Sequence, residues 1–451
     1  MRNLDSFKAY DIRGRIPDEI DESLAYDVAR AYVSFVKPRR VAVGYDIRLS
    51  SPKLAAAVRR GLLDSGVDAL DIGLVGTEGS YFATFAEELD GGIMVTASHN
   101  PPDYNGMKFV REQARPISAD TGLVDMRHLI ETGNLPPKAA KSGKEGKLDI
   151  RSKYLEHLLG YVKGVKLSKL KVVVNPGNGG AGLVIDAIEP HLPFQFIRVN
   201  NQPDGHFPHG VPNPMLEENR AATADVVRRE GADLGLAWDG DYDRCFFFDE
   251  GGNFIEGYYL VGLLAETFLR QEPGARIVHD PRLTWNTLDI VARYGGKAVL
   301  CKSGHAFIKQ KMREVDAAYG GEMSAHHYFR RFGYCDSGMV PWLLVLAVIS
   351  ERGQPLSALV GERIRLFPAS GEINRKLSTD TKTILARVRG HYERSARAID
   401  LTDGLSMEFA DWRFNLRGSN TEPLVRLNVE SRGNEPLMRE MTAEVLKLVD
   451  G

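Results

Sequence analysis

The stretch VVVNPG, residues 172–177, decides the fold class, because an unbroken apolar run ends abruptly in polar and turn-forming residues. Two similar runs, 41–46 and 277–281, also end in a polar loop that precedes a helical stretch. Short continuous apolar runs that alternate with helices are typical of strands buried on both faces of a mostly parallel sheet. The sequence therefore predicts an α/β protein.

This pattern recurs three times, because each of the three runs is followed by a second and a third. The second runs are Ala69–Gly76, Phe194–Asn200 and Ala298–Gly304, and the third are Ile93–Val95, Leu234–Ala237 and Tyr319–Gly321. We therefore expect three similar α/β domains with mixed, mostly parallel sheets, over residues 1–148, 149–252 and 253–368. Residues 369–451 are predicted to form a small α+β domain. Ligands of such sheets bind beyond the carboxyl ends of the strands, so we expect the three α/β domains to share one central cleft.

Composition and charge narrow the class of protein. The 451 residues are 43% apolar and 26% charged with a net charge of -2, which favours neither nucleic acid nor a membrane as partner. The three cysteines form no CxxC pair, and the N-terminus lacks the apolar stretch of a signal peptide. The most apolar run, Met339–Ser350, is shorter than the roughly 20 residues of a spanning helix and is predicted to be a buried helix. We expect a soluble, cytoplasmic protein that is a monomer or a weak dimer.

The loop Thr96–Pro101 follows a predicted strand and places Ser98 next to His99. A serine nucleophile requires a neighbouring base or prior activation, and a serine after a strand also commonly caps a helix. The local sequence leaves both interpretations open.

The loop Asp239–Arg244 carries three alternating carboxylates, Asp239, Asp241 and Asp243. Carboxylate oxygens are the ligands that Mg²⁺ and Ca²⁺ prefer, so the loop predicts a metal site. An EF-hand does not fit, because Arg244 occupies the position that requires glycine and residues 245–248 are typical of a strand. A phosphatase in which Asp239 attacks phosphate, or a solvated acidic turn, would also account for this sequence.

Three further loops are rich in polar or glycine residues. The run Gly177–Gly182 matches GxGxxG, but no acidic residue follows the next strand, so we interpret it as a tight strand-to-helix turn. In Glu322–His327, a carboxylate and a hydroxyl two positions apart suit sugar hydroxyls. The stretch Arg417–Pro423 resembles an anion-binding nest to which Arg426 adds charge, and an ordinary turn is the alternative.

Five motifs taken together resemble the α-D-phosphohexomutase family, in the family's order and across essentially the whole chain. The motifs are Phe7–Gly14, Thr96–Pro101, Asp239–Arg244, Gly321–Phe329 and Arg417–Pro423. The resemblance implies an isomerase that interconverts mannose 6-phosphate and mannose 1-phosphate through a phosphoserine and a hexose 1,6-bisphosphate intermediate, which also serves as activator. It implies one Mg²⁺ per chain and small hexose phosphates as binding partners.

The resemblance also implies a role for each matching residue. Ser98 carries the phosphoryl group and, with Asp239, Asp241 and Asp243, contacts the metal. The residues that surround the reacting centre are Arg13, His99, Lys108, Arg244 and His326, and either Lys108 or His326 is the base. The residues expected to bind substrate are Tyr10, Arg244, Lys302, His305, Glu322, Ser324, His326, Arg417, Ser419, Asn420, Thr421 and Arg426.

Departures from the family pattern and rival functions remain open at this point. Arg282 stands where some members carry Lys, which puts a phosphate contact there in doubt, and Ser303 and Arg331 also depart from the pattern. The same mechanism would serve glucose or glucosamine phosphates. A metal-dependent sugar phosphatase and a non-catalytic sugar-phosphate binding protein are the alternatives of other classes.

Overall fold

The computed structural model describes residues 4–376, 380–418 and 424–451. The chain folds into two units. The first unit comprises the residues up to 254 together with 328–353, and the second comprises 255–327 together with 354–451.

The first sheet belongs to the first unit and contains both parallel and antiparallel strands. Its strands are β1 (Ile12–Arg15), β2 (Arg40–Tyr45), β3 (Asp68–Leu74), β4 (Gly91–Val95), β5 (Tyr104–Arg111), β6 (Arg115–Pro116) and β7 (Glu145–Lys147). The order is β1-β5-β4-β2-β3-β7, with β6 on β5. Strands β4, β2, β3 and β7 are parallel, whereas β5 is antiparallel to its neighbours. Its helices are α1 (Glu22–Val36), α2 (Ser51–Asp64), α3 (Thr77–Ala86) and α4 (Leu123–Glu131).

The second sheet repeats this plan. Its strands are β8 (Lys171–Asn175), β9 (Gln195–Arg198), β10 (Leu234–Trp238), β11 (Cys245–Phe248) and β12 (Phe254–Ile255), and its helices are α5 (Arg151–Leu159), α6 (Ala181–Ile188) and α7 (Ala221–Glu230). Strands β10, β8 and β9 are parallel, and β11 pairs antiparallel with β10. Every residue of β10 and β11 is buried, so the loop between them starts and ends in the core.

The third repeat of the pattern lies in the second unit, where β14, β13 and β15 are parallel. Its elements are α8 (Gly257–Gln271), β13 (Arg276–His279), α9 (Trp285–Arg293), β14 (Lys297–Leu300), α10 (His305–Val315) and β15 (Tyr319–Gly321). The chain enters the first unit within β16 (His327–Phe329), which pairs antiparallel with β17 (Cys335–Asp336). Helix α11 (Val340–Arg352) follows and is buried from Val340 to Ile349, which confirms the predicted buried helix. Helix α12 (Leu356–Leu366) returns the chain to the second unit.

The last sheet is entirely antiparallel, in the order β18-β22-β21-β20-β19. Its strands are β18 (Ile373–Lys376), β19 (Ala398–Asp400), β20 (Leu405–Glu408), β21 (Trp412–Gly418) and β22 (Leu424–Ser431). Helices α13 (Thr381–Tyr392) and α14 (Glu435–Asp450) pack on it through Val388 and Val445, which are buried with Phe414 and Leu427. The predicted α+β character of this region is confirmed.

The predicted pattern of strands agrees with the structure, because each of the nine apolar runs coincides with one of the strands β2–β4, β8–β10 and β13–β15. The α/β class is confirmed, whereas the exact domain boundaries and the single cleft stay predictions. Among the described residues, no single helix is long and apolar enough to cross a membrane; only α11 and α12 taken together reach that length and apolarity.

Candidate active site

A buried arginine shapes the loop after β4. Arg48 is 1% exposed, and its guanidinium donates to four backbone carbonyl oxygens of this loop. Nη2 donates to Ser98 and Asn100 at 2.9 and 2.6 Å, and Nη1 to Pro101 and Tyr104 at 2.6 and 2.9 Å. Because one rigid fork satisfies four carbonyls, the loop is held in a single conformation.

Ser98 itself has a backbone φ of 49°, an uncommon conformation for a residue other than glycine. The chain continues from this loop into β5 and not into a helix, so the helix-cap interpretation of Ser98 is wrong. Its hydroxyl donates to Asp239 Oδ2 at 3.1 Å and lies 3.1 Å from His99 Nδ1. The loops after β4 and β10 therefore meet at the serine oxygen.

The loop between β10 and β11 concentrates three buried carboxylates. Asp239, Asp241 and Asp243 are at most 3% exposed, and one oxygen of each lies within 4.8 Å of the others. Asp241 Oδ1 is buried and has no hydrogen-bond partner among the described residues. Buried carboxylates are normally paired or bind a metal, so this set of oxygens fits a divalent cation such as Mg²⁺.

Two basic side chains, Lys108 and Arg244, offset part of the negative charge of these three carboxylates. Lys108 Nζ on β5 lies 2.8 Å from Asp241 Oδ2 and 2.7 Å from Asp243 Oδ2. Burial lowers the pKa of Lys108, but these two carboxylates outweigh burial and the net shift is upward. Burial and the Asp241 carboxylate together raise the pKa of Asp243 to about 8. The ammonium alone therefore does not balance the three carboxylates.

Arg244 and Arg13 both contact the loop Thr96–Pro101, which we call the serine loop. Arg244 Nε donates to Asp239 Oδ2 at 2.8 Å, and its Nη2 lies 2.6 Å from His99 Nδ1. Burial and the Arg244 charge hold the pKa of His99 well below its usual range, so the imidazole is neutral and Nδ1 accepts. Arg13 on β1 pairs with Asp11 at 2.7 Å and donates to Asn100 Oδ1 at 2.8 Å. Tyr10, which precedes β1, is partly exposed.

A glycine permits the close approach of these two loops. A Cβ at Gly240 would lie 2.5 Å from the Ser98 carbonyl oxygen. The run Gly177–Gly182 packs against the loop Asp239–Arg244, which we call the metal loop, since a Cβ at Gly179 would lie 3.0 Å from the Gly240 carbonyl oxygen. This run joins β8 to α6, which confirms the predicted tight turn, and Gly177 has a φ of 59°.

In the second unit, the residues predicted to bind sugar hydroxyls lie together after β15. Glu322 Oε1 accepts from the Gly304 backbone N–H at 2.9 Å. His326 Nδ1 lies 3.6 Å from Glu322 Oε2 and 3.3 Å from Ser324 Oγ. His305 begins α10, whereas the Lys302 ammonium packs 3.4 Å from the centre of the Phe307 ring.

The predicted phosphate-binding arginines share one carboxylate that the sequence analysis did not single out. Arg417 Nη2 lies 3.4 Å from Glu372 Oε2, and Arg426 Nη1 lies 3.6 Å from Glu372 Oε1. Ser419, Asn420 and Thr421 lie outside the described residues.

Comparisons with known proteins agree along the whole chain. The chain matches phosphoglucomutase/phosphomannomutase alpha/beta/alpha domains I, II and III over residues 4–125, 152–252 and 256–367, and the C-terminal domain over 372–448. It is 58% identical to the phosphomannomutase of Salmonella montevideo, with all of both chains covered. The chain belongs to the phosphoglucomutase/phosphomannomutase family. This finding confirms the resemblance inferred from the five motifs.

Other members of the phosphoglucomutase/phosphomannomutase family are similar at comparable length. A protein of Xanthomonas campestris pv. campestris named phosphohexose mutases is 56% identical, with 99% of this chain and all of the relative covered. A solved structure of a phosphoglucomutase/phosphomannomutase family protein from Burkholderia thailandensis has a TM-score of 0.89 at 30% identity, over 99% of this chain and 97% of that chain.

Within this phosphoglucomutase/phosphomannomutase chain, the sequence motifs missed the residues that hold the site residues in place. Thr77 Oγ1 accepts from Lys108 at 3.1 Å and itself hydrogen-bonds Asp241. Arg48 and Thr77 follow the ends of β2 and β3, a position that favours function, but nothing in the neighbouring sequence assigns them a partner. Of the departures, Arg331 packs 4.7 Å from the centre of the Tyr161 ring, and the Ser303 N–H donates to Asp403 Oδ2 at 3.2 Å.

Proposed function

We propose that the chain interconverts mannose 6-phosphate and mannose 1-phosphate through a phosphorylated Ser98 and a hexose 1,6-bisphosphate. The observation that carries this proposal is the contact of Ser98 Oγ with Asp239 Oδ2 at 3.1 Å, at the edge of the three-carboxylate cluster. A relative that covers the full chain and is named for this activity supports the choice of mannose phosphates.

One Mg²⁺ is proposed to bind Asp239, Asp241 and Asp243 together with an oxygen of phosphorylated Ser98. When bound, the cation offsets the carboxylate charge and stabilises the charge that the phosphoryl oxygens carry during transfer. The buried Asp241 Oδ1, which has no hydrogen-bond partner among the described residues, supports this assignment.

In the first half-reaction a sugar hydroxyl attacks the phosphorus on Ser98. The new sugar O–P bond forms as the Oγ–P bond breaks, and the hydroxyl proton passes to His326, or to Lys108 once its ammonium has released a proton to the neighbouring Asp243 carboxylate. Arg13 and Arg244 donate to the phosphoryl oxygens and so stabilise the transition state, which depends mainly on alignment and charge.

The other proposed roles follow from the identity of the substrate. Glu322 and Ser324 hold sugar hydroxyls, and Arg417 and Arg426 grip the phosphate that is not transferred. After the bisphosphate turns end for end, its other P–O bond breaks and Ser98 Oγ regains the phosphoryl group. The enzyme is thereby restored to its starting state.

Replacement of the serine tests the mechanism. We expect Ser98→Ala to abolish nearly all conversion of mannose 1-phosphate while the circular dichroism spectrum stays unchanged. Ser65→Ala, in the same unit but at the end of α2, is the control and keeps full activity. Unimpaired mutase activity in Ser98→Ala would refute the phosphoserine mechanism.

Phosphopeptide mapping of freshly purified protein separates the mutase from a phosphatase, because a phosphatase that used Asp239 would carry phosphoaspartate and no phosphate on Ser98.

A second substrate is favoured by the Xanthomonas relative, whose name covers hexose phosphates in general. Rates on mannose 1-phosphate and glucose 1-phosphate, each with its bisphosphate activator, decide between one substrate and two.

A further inference from the structure

Arg282 follows β13 and is 2% exposed, and carboxylates surround it. Its Nη2 lies 2.8 Å from Asp280 Oδ2 and 3.3 Å from Glu322 Oε1. The same nitrogen donates to Ser324 Oγ at 3.2 Å. Nη2 therefore contacts Asp280 as well as Glu322 and Ser324, the pair that we call the sugar loop.

The other terminal nitrogen of Arg282 points to a different partner. Nη1 lies 3.4 Å from Glu372 Oε2, whose side chain is 8% exposed. Glu372 also contacts Arg417 and Arg426, at 3.4 and 3.6 Å, and we call these two arginines the phosphate clamp. Burial raises the pKa of Glu372, but the three guanidinium groups outweigh burial and hold it below its usual value, so Glu372 is ionised.

We propose that Arg282 and Glu372 are positioning residues that join the sugar loop to the phosphate clamp, and that Arg282 is not itself a phosphate contact. This inference rests on the proposed function for the identity of the ligand. An arginine suits this position because the guanidinium is a planar fork whose terminal nitrogens hold Asp280, Glu322 and Glu372 in fixed directions, whereas the ammonium of a lysine is a single point charge.

Glu372 matters to the phosphate clamp because Arg417 and Arg426 repel one another unless a carboxylate lies between them. Because Glu372 contacts both guanidinium groups, it holds them close to one another. Arg417 Nε is buried and has no acceptor among the described residues. That donor is left for an anion. A preorganised pair of guanidinium groups binds a phosphate dianion more tightly than a pair that must first be ordered.

The test uses inorganic phosphate and the full chain without divalent metal, so that the three aspartates repel the anion from Ser98. Calorimetry measures the dissociation constant for wild type, Arg282→Lys, Glu372→Gln and the double variant. We expect each single change to weaken phosphate binding about 10-fold, and the double variant about 10-fold also, since both act through one contact. Independent effects would multiply to about 100-fold.

Mannose 1-phosphate provides the second measurement, because it also engages the sugar loop. Arg282→Lys should weaken its binding a further several-fold even when residue 372 is already Gln, through Glu322 and Ser324. Multiplying effects on inorganic phosphate would overturn the inference and assign Arg282 to direct phosphate contact. Tighter phosphate binding in Glu372→Gln would also overturn it, since Glu372 would then compete with the anion.

The matched control is the exposed ion pair Glu435–Arg439 on α14, at 2.6 Å in the same unit. Glu435→Gln and Arg439→Lys should leave both dissociation constants unchanged. If wild type binds no inorganic phosphate, the phosphate clamp and this inference both fail. If wild type binds phosphate and mannose 1-phosphate but does not convert the sugar, only the proposed function fails. Thermal melts of each variant separate a loss of binding from a loss of fold.

Discussion

A single methyl group at Gly240 is expected to separate the serine loop from the metal loop. A Cβ there would lie 2.5 Å from the Ser98 carbonyl oxygen, which Arg48 already fixes through a 2.9 Å hydrogen bond. The added Cβ and the Ser98 carbonyl oxygen are both fixed to the backbone, so no side-chain rotation can relieve the contact between them. Gly240→Ala changes no charge and removes no carboxylate.

The size of the effect follows from the distance that must be restored. A relaxed carbon–oxygen contact is about 3.3 Å, so the two loops must move apart by roughly 0.8 Å. A misplacement of about 1 Å between reacting groups can reduce a rate about 100-fold. We therefore expect kcat to fall about 100-fold, and overpacking to reduce the free energy of unfolding by about 1–3 kcal/mol.

The assay is the conversion of mannose 1-phosphate at saturating substrate and Mg²⁺, together with urea unfolding. The control is Gly390→Ala in the last turn of α13, where an added Cβ meets no atom within 4 Å. That variant should keep full kcat and gain up to about 1 kcal/mol, because alanine favours a helix over glycine. A folded Gly240→Ala variant with the kcat of wild type would refute the requirement for this close approach.

Two further predictions concern buried charge. Lys108→Met leaves Asp241 and Asp243 without their ammonium, so the free energy of unfolding of the metal-free protein in urea should fall by about 3–5 kcal/mol. Mg²⁺ should raise the melting temperature of this variant more than that of wild type, and an equal rise would contradict the prediction. Burial lowers the pKa of His157 to about 4, below the unfolded value of about 6.5, so its stabilising contribution is lost as the pH falls from about 6.5 to 4. The substitution His157→Phe suits the neighbouring Phe82 and Phe332 rings and removes the titrating group. Between pH 7 and pH 5 the variant should lose about 1–2 kcal/mol less unfolding free energy than wild type, as measured in urea, and an equal loss would contradict the assignment.

The element pattern was predictable because it depends on interactions that are local in the sequence. The run Val172–Val174 contains only apolar side chains, which predicts a strand buried on both faces, and these residues are buried within β8. Met339–Ser350 is too apolar for any exposed helix face and is buried as α11. Asp239, Asp241 and Asp243 formed a recognisable motif because all three lie within one loop.

Contacts between loops that are distant in the chain were not predictable in this way. The local sequence of Ser98 also suited a helix cap, and only the structure shows that the loop runs into β5 and meets a carboxylate 141 positions away. Arg282 was recognised only as a departure, and its distance from Glu372 is 90 positions. Hydrophobic periodicity indicates which face of an element is buried, but it does not indicate which distant side chain packs against that face.

By itself, then, the sequence determined that three α/β repeats precede a small α+β domain, and that the serine loop, the metal loop, the sugar loop and the stretch Arg417–Pro423 occur in the order of one family. Each of these features is written in neighbouring residues. Only the tertiary structure decided that Lys108 pairs with Asp241 and Asp243, and that Glu372 sits between Arg417 and Arg426. Buried charges must find partners wherever the packed elements bring them, and that requirement acts across space and not along the chain.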